Sequence, residues 1–211
     1  MSDAEVELAV VLRAVLARFQ QHEASDADVA QATVLGQQML ELLDGPARPR
    51  WFERGETVVD GRAARERRHR YNDRSLFRGA ANPLASPMRT SVTSTADGRP
   101  AIEGRVTLGR LHEGPPNGVH GGYVAGLFDD ILGGAQTLLD GATGLTGTLK
   151  VWYRNLTPLD TELVFTAWVH HVRGRRIHAR ATCHANGVVT AEAEALFIRV
   201  DMAELAERAV K

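Results

Sequence analysis

The residues best suited to chemistry lie together in one stretch, Gly118-Val119-His120-Gly121-Gly122, followed at a distance by Asp129 and Asp130. A histidine and two glycines open what reads as a helix. Glycine leaves its backbone N–H unobstructed, and at a helix start that N–H lies at the positive end of the helix dipole. Such an amide suits a developing oxyanion, and His120 can orient a carbonyl or the loop itself. Asp129 and Asp130 supply the other half of a reaction. A carboxylate among apolar neighbours has its pKa raised and becomes useful as a base or nucleophile. The spacing does not choose between the two aspartates, and simple surface charges are the plain alternative for both.

These groups need a helix to hold them. From Gly121, the residues Val124, Leu127, Phe128, Ile131, Leu132, Ala135, Leu138 and Leu139 form one broad apolar stripe. Gly126 and Gly133 fall on the opposite side, beside Gly134. Interior helical glycine costs about 1 kcal/mol relative to alanine, so close approach by another element is expected on that side.

The rest of the second half reads as strands. Thr90 to Ala96 and Ala101 to Leu108 flank an Asp97-Gly98 turn before the helix. After it come Leu145 to Arg154, Thr161 to Val172, Ile177 to Ala185 and Val188 to Val200. Ile177 to Ala185 alternates with period two, and Asn186-Gly187 is a strong hairpin signal. Four successive strands after one long helix predict an antiparallel meander, hence an α+β fold with a sheet wrapped around the helix. Alternation sends His170 and His171 to opposite faces. Cys183 reads as core. A short helix is expected over Asp201 to Lys211.

The first half is different. Residues 1–46 read as a helical hairpin, with Leu8, Val11, Leu12, Val15, Leu16 and Phe19 on one face and Ser25 as an N-cap for the second helix. Residues 47–81 are arginine-rich with interspersed acids and read as a solvated linker, with a short helix near Arg62 to His69. Residues 82–211 form the main domain.

Composition narrows the function classes. The 211 residues are 44% hydrophobic and 24% charged, with net charge −1, which gives no global pull toward nucleic acid or anionic membrane. One cysteine rules out an internal disulfide and a multi-cysteine zinc site. There is no apolar run of membrane-spanning length, and the acidic start is unlike a signal peptide, so the expected location is cytoplasmic. No Gly-x-Ser-x-Gly elbow, Walker loop or dinucleotide fingerprint is present.

Val119-His120-Gly121-Gly122 with Asp129 nine residues after the histidine resembles the hotdog-fold acyl-CoA thioesterases of the phenylacetate-pathway type, especially relatives with a long N-terminal extension. Gly79-Ala80-Ala81-Asn82-Pro83 and Trp152-Tyr153-Arg154-Asn155-Leu156-Thr157-Pro158-Leu159 share the likeness, which runs from Asn82 to Val200. The resemblance implies hydrolysis of an acyl-CoA to acid and CoA without metal or cofactor. It implies Asp129 as catalytic carboxylate, His120, Gly121 and Gly122 as the carbonyl-polarising group, and Thr146 as a residue that positions the carboxylate or water. Asp130 has no role in that pattern. Asn117 and Tyr123 are candidates for substrate contact. Arg154, Arg173, Arg175 and Arg176, at strand ends, are candidates for the CoA phosphates. A non-catalytic hotdog domain that binds an acyl or aryl ligand is the alternative, and a lyase or dehydratase acting on acyl thioesters is a third reading.

Helical rise adds a constraint. Nine residues at 1.5 Å each separate His120 from Asp129 by about 13 Å. A thioester bonded at Gly121 or Gly122 does not reach Asp129 of the same chain. Two chains with antiparallel helices across a two-fold axis bring each helix start to the other's aspartate, so a homodimer or dimer of dimers is expected.

Overall fold

The computed structural model describes residues 2–48, 73–139 and 144–200. The expected helices near Arg62 and after Asp201 lie outside them. The elements are helices α1 (Asp3–Gln21), α2 (Asp26–Leu42) and α3 (Gly121–Ala135), and strands β1 (Arg89–Ser94), β2 (Pro100–Thr107), β3 (Gly144–Tyr153), β4 (Glu162–Arg173), β5 (Arg176–Ala185) and β6 (Val188–Arg199).

The strands form one six-stranded sheet in the order β1-β2-β4-β5-β6-β3, with every described pairing antiparallel. Asn186 and Gly187, both at positive φ (49° and 80°), make the tight β5–β6 turn. One connection departs from the meander expected from the sequence. β3 pairs with β6 and not with β4, so the chain crosses from one edge of the sheet to its interior between Tyr153 and Glu162. Pro158 within that connection makes a bridge from Gly118, and Val119 N–H donates to Thr157 O at 2.8 Å. The crossing therefore braces the loop that leads into α3.

A second departure concerns His170 and His171. A β-bulge between Val169 and His171 breaks the two-residue alternation, and both imidazoles line one hollow, with ring centroids 5.1 Å apart.

α3 lies against the inner face of the sheet. Leu127, Phe128, Ile131 and Leu132 are buried on it, as expected from the 3.6-residue period. The α-helix ends at Ala135, and Leu138 and Leu139 continue the apolar face as a 3-10 turn. Opposite α3 stand Leu163, Phe165 and Ala167 of β4, Ile177, Ala179, Ala181 and Cys183 of β5, and Ala191, Ala193, Ala195 and Phe197 of β6. The alanine rows offer little apolar area but let the helix lie close. The large side chains supply most of the burial, about 1.5–3 kcal/mol for each fully buried one. Phe128 meets Phe165 edge-on at 5.1 Å. A Cβ on Gly104 would come within 2.7 Å of Ile131 Cδ1 and Met88 Sδ.

Residues 73–81, expected as the end of a solvated linker, pack across α3. The Phe77 ring occupies the space a Cβ on Gly126 would need, whereas a Cβ on Gly133 meets nothing within 4 Å. Arg78 Nε lies 2.7 Å from Asp130 Oδ2, with side chains only 19% and 11% exposed. The close approach expected at the helix glycines is thus supplied within the chain at Gly126 and left open at Gly133.

α1 starts with a capping box between Ser2 and Glu5, and α2 starts with the Ser25 cap on Asp28 N–H. The buried face of α1 shares only the half-buried Leu8 and Leu12 with the one expected. It centres on Ala9, 2% exposed, while Val11, Val15, Leu16 and Phe19 remain exposed. The reason is the docking geometry. Arg13 donates to the carbonyls of Ala80 and Asn82, and this fixes the helix rotation by polar contacts.

Candidate active site

His120 is the N-cap of α3. Its Nδ1 accepts the Gly122 N–H at 3.0 Å, and its carbonyl accepts from Tyr123 and Val124. A neutral ring that accepts at Nδ1 carries its proton on Nε2, so His120 presents an N–H donor outward, and its side chain is exposed. The Gly122 amide, expected as a free oxyanion donor, is thereby occupied. Gly121 N–H is the first-turn amide with no acceptor among the described residues.

Tyr153, at the end of β3, closes this corner. Its hydroxyl donates to Gly121 O at 2.7 Å, and its ring lies 3.3 Å from where a Gly121 Cβ would sit. The carbonyl it polarises belongs to the same peptide unit as Gly122 N–H, so the two hydrogen bonds reinforce each other. In the sequence Tyr153 is visible only as part of a strand end. Its signal was the aromatic at the strand terminus, but the pairing with Gly121 depends on which edge β3 occupies.

Asp129 lies two turns further along α3, half-buried. The Thr146 hydroxyl donates to its Oδ1 at 2.9 Å. Thr146 precedes a bulge in β3, between Thr146 and Thr148. Asp130 points the other way, into the Arg78 pair and toward Ser75 Oγ at 3.4 Å. Its carboxyl is pushed above the usual carboxylate range, chiefly by burial, with Arg78 opposing. The two aspartates therefore differ in kind: one is tied into the protein and the other is held by a single hydroxyl.

No family model matches the sequence. The acyl-coenzyme A thioesterase THEM4 of Xenopus laevis is 32% identical over 90 residues, 42% of this chain and 40% of that protein, so the chain spans less than half the length of that curated relative. A solved thioesterase superfamily protein superposes over 93% of this chain and 96% of its own, with a TM-score of 0.73 and 26% identity. The chain has the hotdog fold of the thioesterase superfamily.

The remaining candidates are distributed unevenly over this hotdog domain. Asn117 is exposed in a left-handed turn (φ 59°), its N–H donating to Glu113 Oε1 at 2.8 Å. An asparagine tolerates that conformation, so the turn itself explains its presence. Tyr123 faces the chain's own Phe77 and His112, with ring centroids 5.5 and 4.2 Å away, not open space. His112 anchors the loop: its carbonyl accepts His120 N–H at 2.7 Å, and Ser86 Oγ lies 3.2 Å from Nε2. Burial holds His112 below the usual imidazole range.

The arginines do not form one group. Arg154 follows β3 beside the β5–β6 turn and pairs with Glu192 at 2.6 Å. Arg173, Arg175 and Arg176 sit at the β4–β5 turn, at the opposite end of the sheet, where Arg175 donates to Arg199 O. Within one chain they cannot grip a single nucleotide. Cys183 is fully buried, its thiol pushed up to about 11 by burial, which suits a core residue. No described helix is long and apolar enough to cross a membrane.

Proposed function

We propose that this hotdog domain hydrolyses an acyl-CoA, or a related acyl thioester, in a site shared by two chains. The observation that carries the reading is Asp129, half-buried on α3 with one oxygen held by Thr146 and the other left for a substrate or water. In the proposed reaction Asp129 takes a proton from water as the water oxygen attacks the thioester carbon. His120 Nε2–H and Gly121 N–H donate to the oxyanion. The C–S bond then breaks, and the leaving thiolate takes the proton back. Direct attack by Asp129, giving an anhydride that water hydrolyses, uses the same groups.

The separation of about 13 Å along α3 requires two chains. β3 is an edge strand with no neighbour on its outer side among the described residues, and Leu145, Trp152 and Tyr153 on it are exposed. Antiparallel pairing of two β3 edges would set the Thr146 end of one chain against the Tyr153 end of the other. It would also set the Arg173–Arg175 turn of one chain toward Arg154 of its partner. The open face at Gly133 fits close packing there.

The test is thiol release over a panel of acyl-CoAs of graded chain length. Asp129→Asn is expected to lower kcat about 10²- to 10⁴-fold. Equal rates in wild type and variant would end the catalytic reading. Saturable acyl-CoA binding without turnover in wild type would assign the domain to ligand binding.

A further inference from the structure

We propose that the outer face of the sheet, the side away from α3, carries a binding site for a phosphate-bearing anion in the hollow framed by the β4 bulge and β3. This inference does not rest on the proposed hydrolysis.

The hollow is open to solvent and about 360 Å³. Its floor is set by register. His178 of β5 stands opposite both His171 of β4 and Leu196 of β6, and Leu196 stands opposite Thr148 of β3. One row away, Glu194 of β6 stands opposite both Lys150 of β3 and Arg180 of β5. His171 and His178 stack with centroids 4.3 Å apart and planes 17° from parallel. The bulge turns His170 to the same side. At the margin of the hollow, Arg99 of the β1–β2 turn touches one of its lining residues, Nη1 lying 3.3 Å from His170 Nδ1.

Charge decides what fits. The fixed cations here are Arg99, Lys150 and Arg180. The carboxylates are Asp97, paired with Arg99 at 2.8 Å, and Glu194, paired with Arg180 at 2.7 Å. Lys150 stands opposite Glu194, whose carboxylate is paired with Arg180, and makes no ion pair of its own among the described residues, and each protonated imidazole adds a further positive charge. Partial desolvation, then the neighbouring charges of Arg180, His171 and Arg99, hold His170 below its usual range, with Glu194 opposing. Crowding of this kind is unfavourable in an empty site and is relieved by an anion. A phosphoryl group offers several acceptors to guanidinium, ammonium and imidazolium donors together. A metal ion fits less well. Stacked rings do not aim their nitrogens at one point, and no three His, Cys, Asp or Glu side chains among the described residues have metal-holding geometry.

The test is calorimetric titration of the full chain with pyrophosphate at about pH 6 and about pH 8, on either side of the ordinary imidazole pKa. The wild type is compared with Lys150→Gln/Arg180→Gln and with His171→Asn/His178→Asn, whose folding is verified by circular dichroism. Saturable binding is expected at the lower pH, weakened about tenfold or more at the higher pH and in the Lys/Arg variant. The His variant should bind more weakly than the wild type at the lower pH. No saturable binding at the lower pH, or equal affinity in wild type and Lys150→Gln/Arg180→Gln, overturns the proposal. So does tight Zn²⁺ binding that competes with pyrophosphate for the same histidines. Once binding is established, kinetics with an acyl-CoA and its 3′-dephospho form name the source. A KM raised in the Lys/Arg variant for the acyl-CoA alone makes the anion the substrate's own 3′-phosphate. An unchanged KM makes it a separate effector.

Discussion

Tyr153 and His120 act on the same peptide unit from opposite sides. The Tyr153 hydroxyl holds Gly121 O, and His120 Nδ1 holds Gly122 N–H. Together they fix the rotation of the first turn of α3 and the direction of His120 Nε2–H. Tyr153→Phe keeps the ring against Gly121 and removes only the hydrogen bond, whose net worth is about 1 kcal/mol. It is expected to lower kcat about fivefold with KM little changed, because a loosened donor is felt most where charge develops. A raised KM at constant kcat in thiol-release kinetics would instead make Tyr153 a substrate contact. Asp130, next to the proposed base, belongs to a different problem. Its carboxyl is buried, its pKa is raised by that burial, and Arg78 opposes the rise. A raised folded-state pKa means the native state holds the proton more tightly than the unfolded chain. Stability from this source is fully present below the unfolded value of 3.8 and is lost as pH rises through the folded value. Arg78→Met leaves the charge without its partner. It is expected to cost about 3 kcal/mol near neutral pH, with the loss shrinking in acid as Asp130 becomes neutral. Urea unfolding of both proteins across that pH range measures it.

At the scale of elements, α3 is held on two sides by different means. Its apolar stripe meets the alanine rows of β5 and β6, while residues 73–81 lie over its glycine side, with Phe77 on Gly126 and Arg78 on Asp130. Gly126 and Gly133 look alike in the sequence and behave differently in the fold. Gly126→Ala forces a methyl into the Phe77 ring and is expected to destabilise by about 1–3 kcal/mol. Gly133→Ala meets nothing in its own chain, and helix propensity alone favours it by about 1 kcal/mol. If two helices approach at Gly133, the same methyl weakens the dimer, so denaturation read against protein concentration separates the two effects. The β4 bulge shows how one residue inserted into a ladder redirects side chains. Without it His170 would leave the outer hollow, and the proposed anion site would lose its connection to Arg99.

For the whole molecule, the proposed site is split along α3, and each chain carries both halves about 13 Å apart. This predicts complementation. Asp129→Asn and His120→Ala, each nearly inactive alone, are expected to recover about a quarter of wild-type activity when co-refolded in equal amounts. Half of random dimers are then mixed, and each mixed dimer has one intact site of two. No recovery, with mixed dimers verified by mass, would place the reacting groups within single chains.

The elements themselves were legible because their signals are local. The 3.6-residue stripe of α3, the alternation of β5, Asn186-Gly187 and the Ser25 cap each depend on a few neighbouring residues, and the structure has all of them. The His120-Gly121-Gly122 helix start and the two aspartates could also be located from the chain, because a helix fixes spacing. What the chain left open was set by contacts between distant residues. That Asp130 is paired follows from Arg78, fifty-two positions earlier in the chain. That Gly122 N–H is occupied follows from the rotamer of His120. The place of β3 at the sheet edge follows from its pairing with β6, and this brings Tyr153 to Gly121 and Thr146 to Asp129. Local periodicity determined which residues form each element, and only the tertiary packing decided that Asp130 is buried against Arg78 while Asp129 is held by the Thr146 hydroxyl.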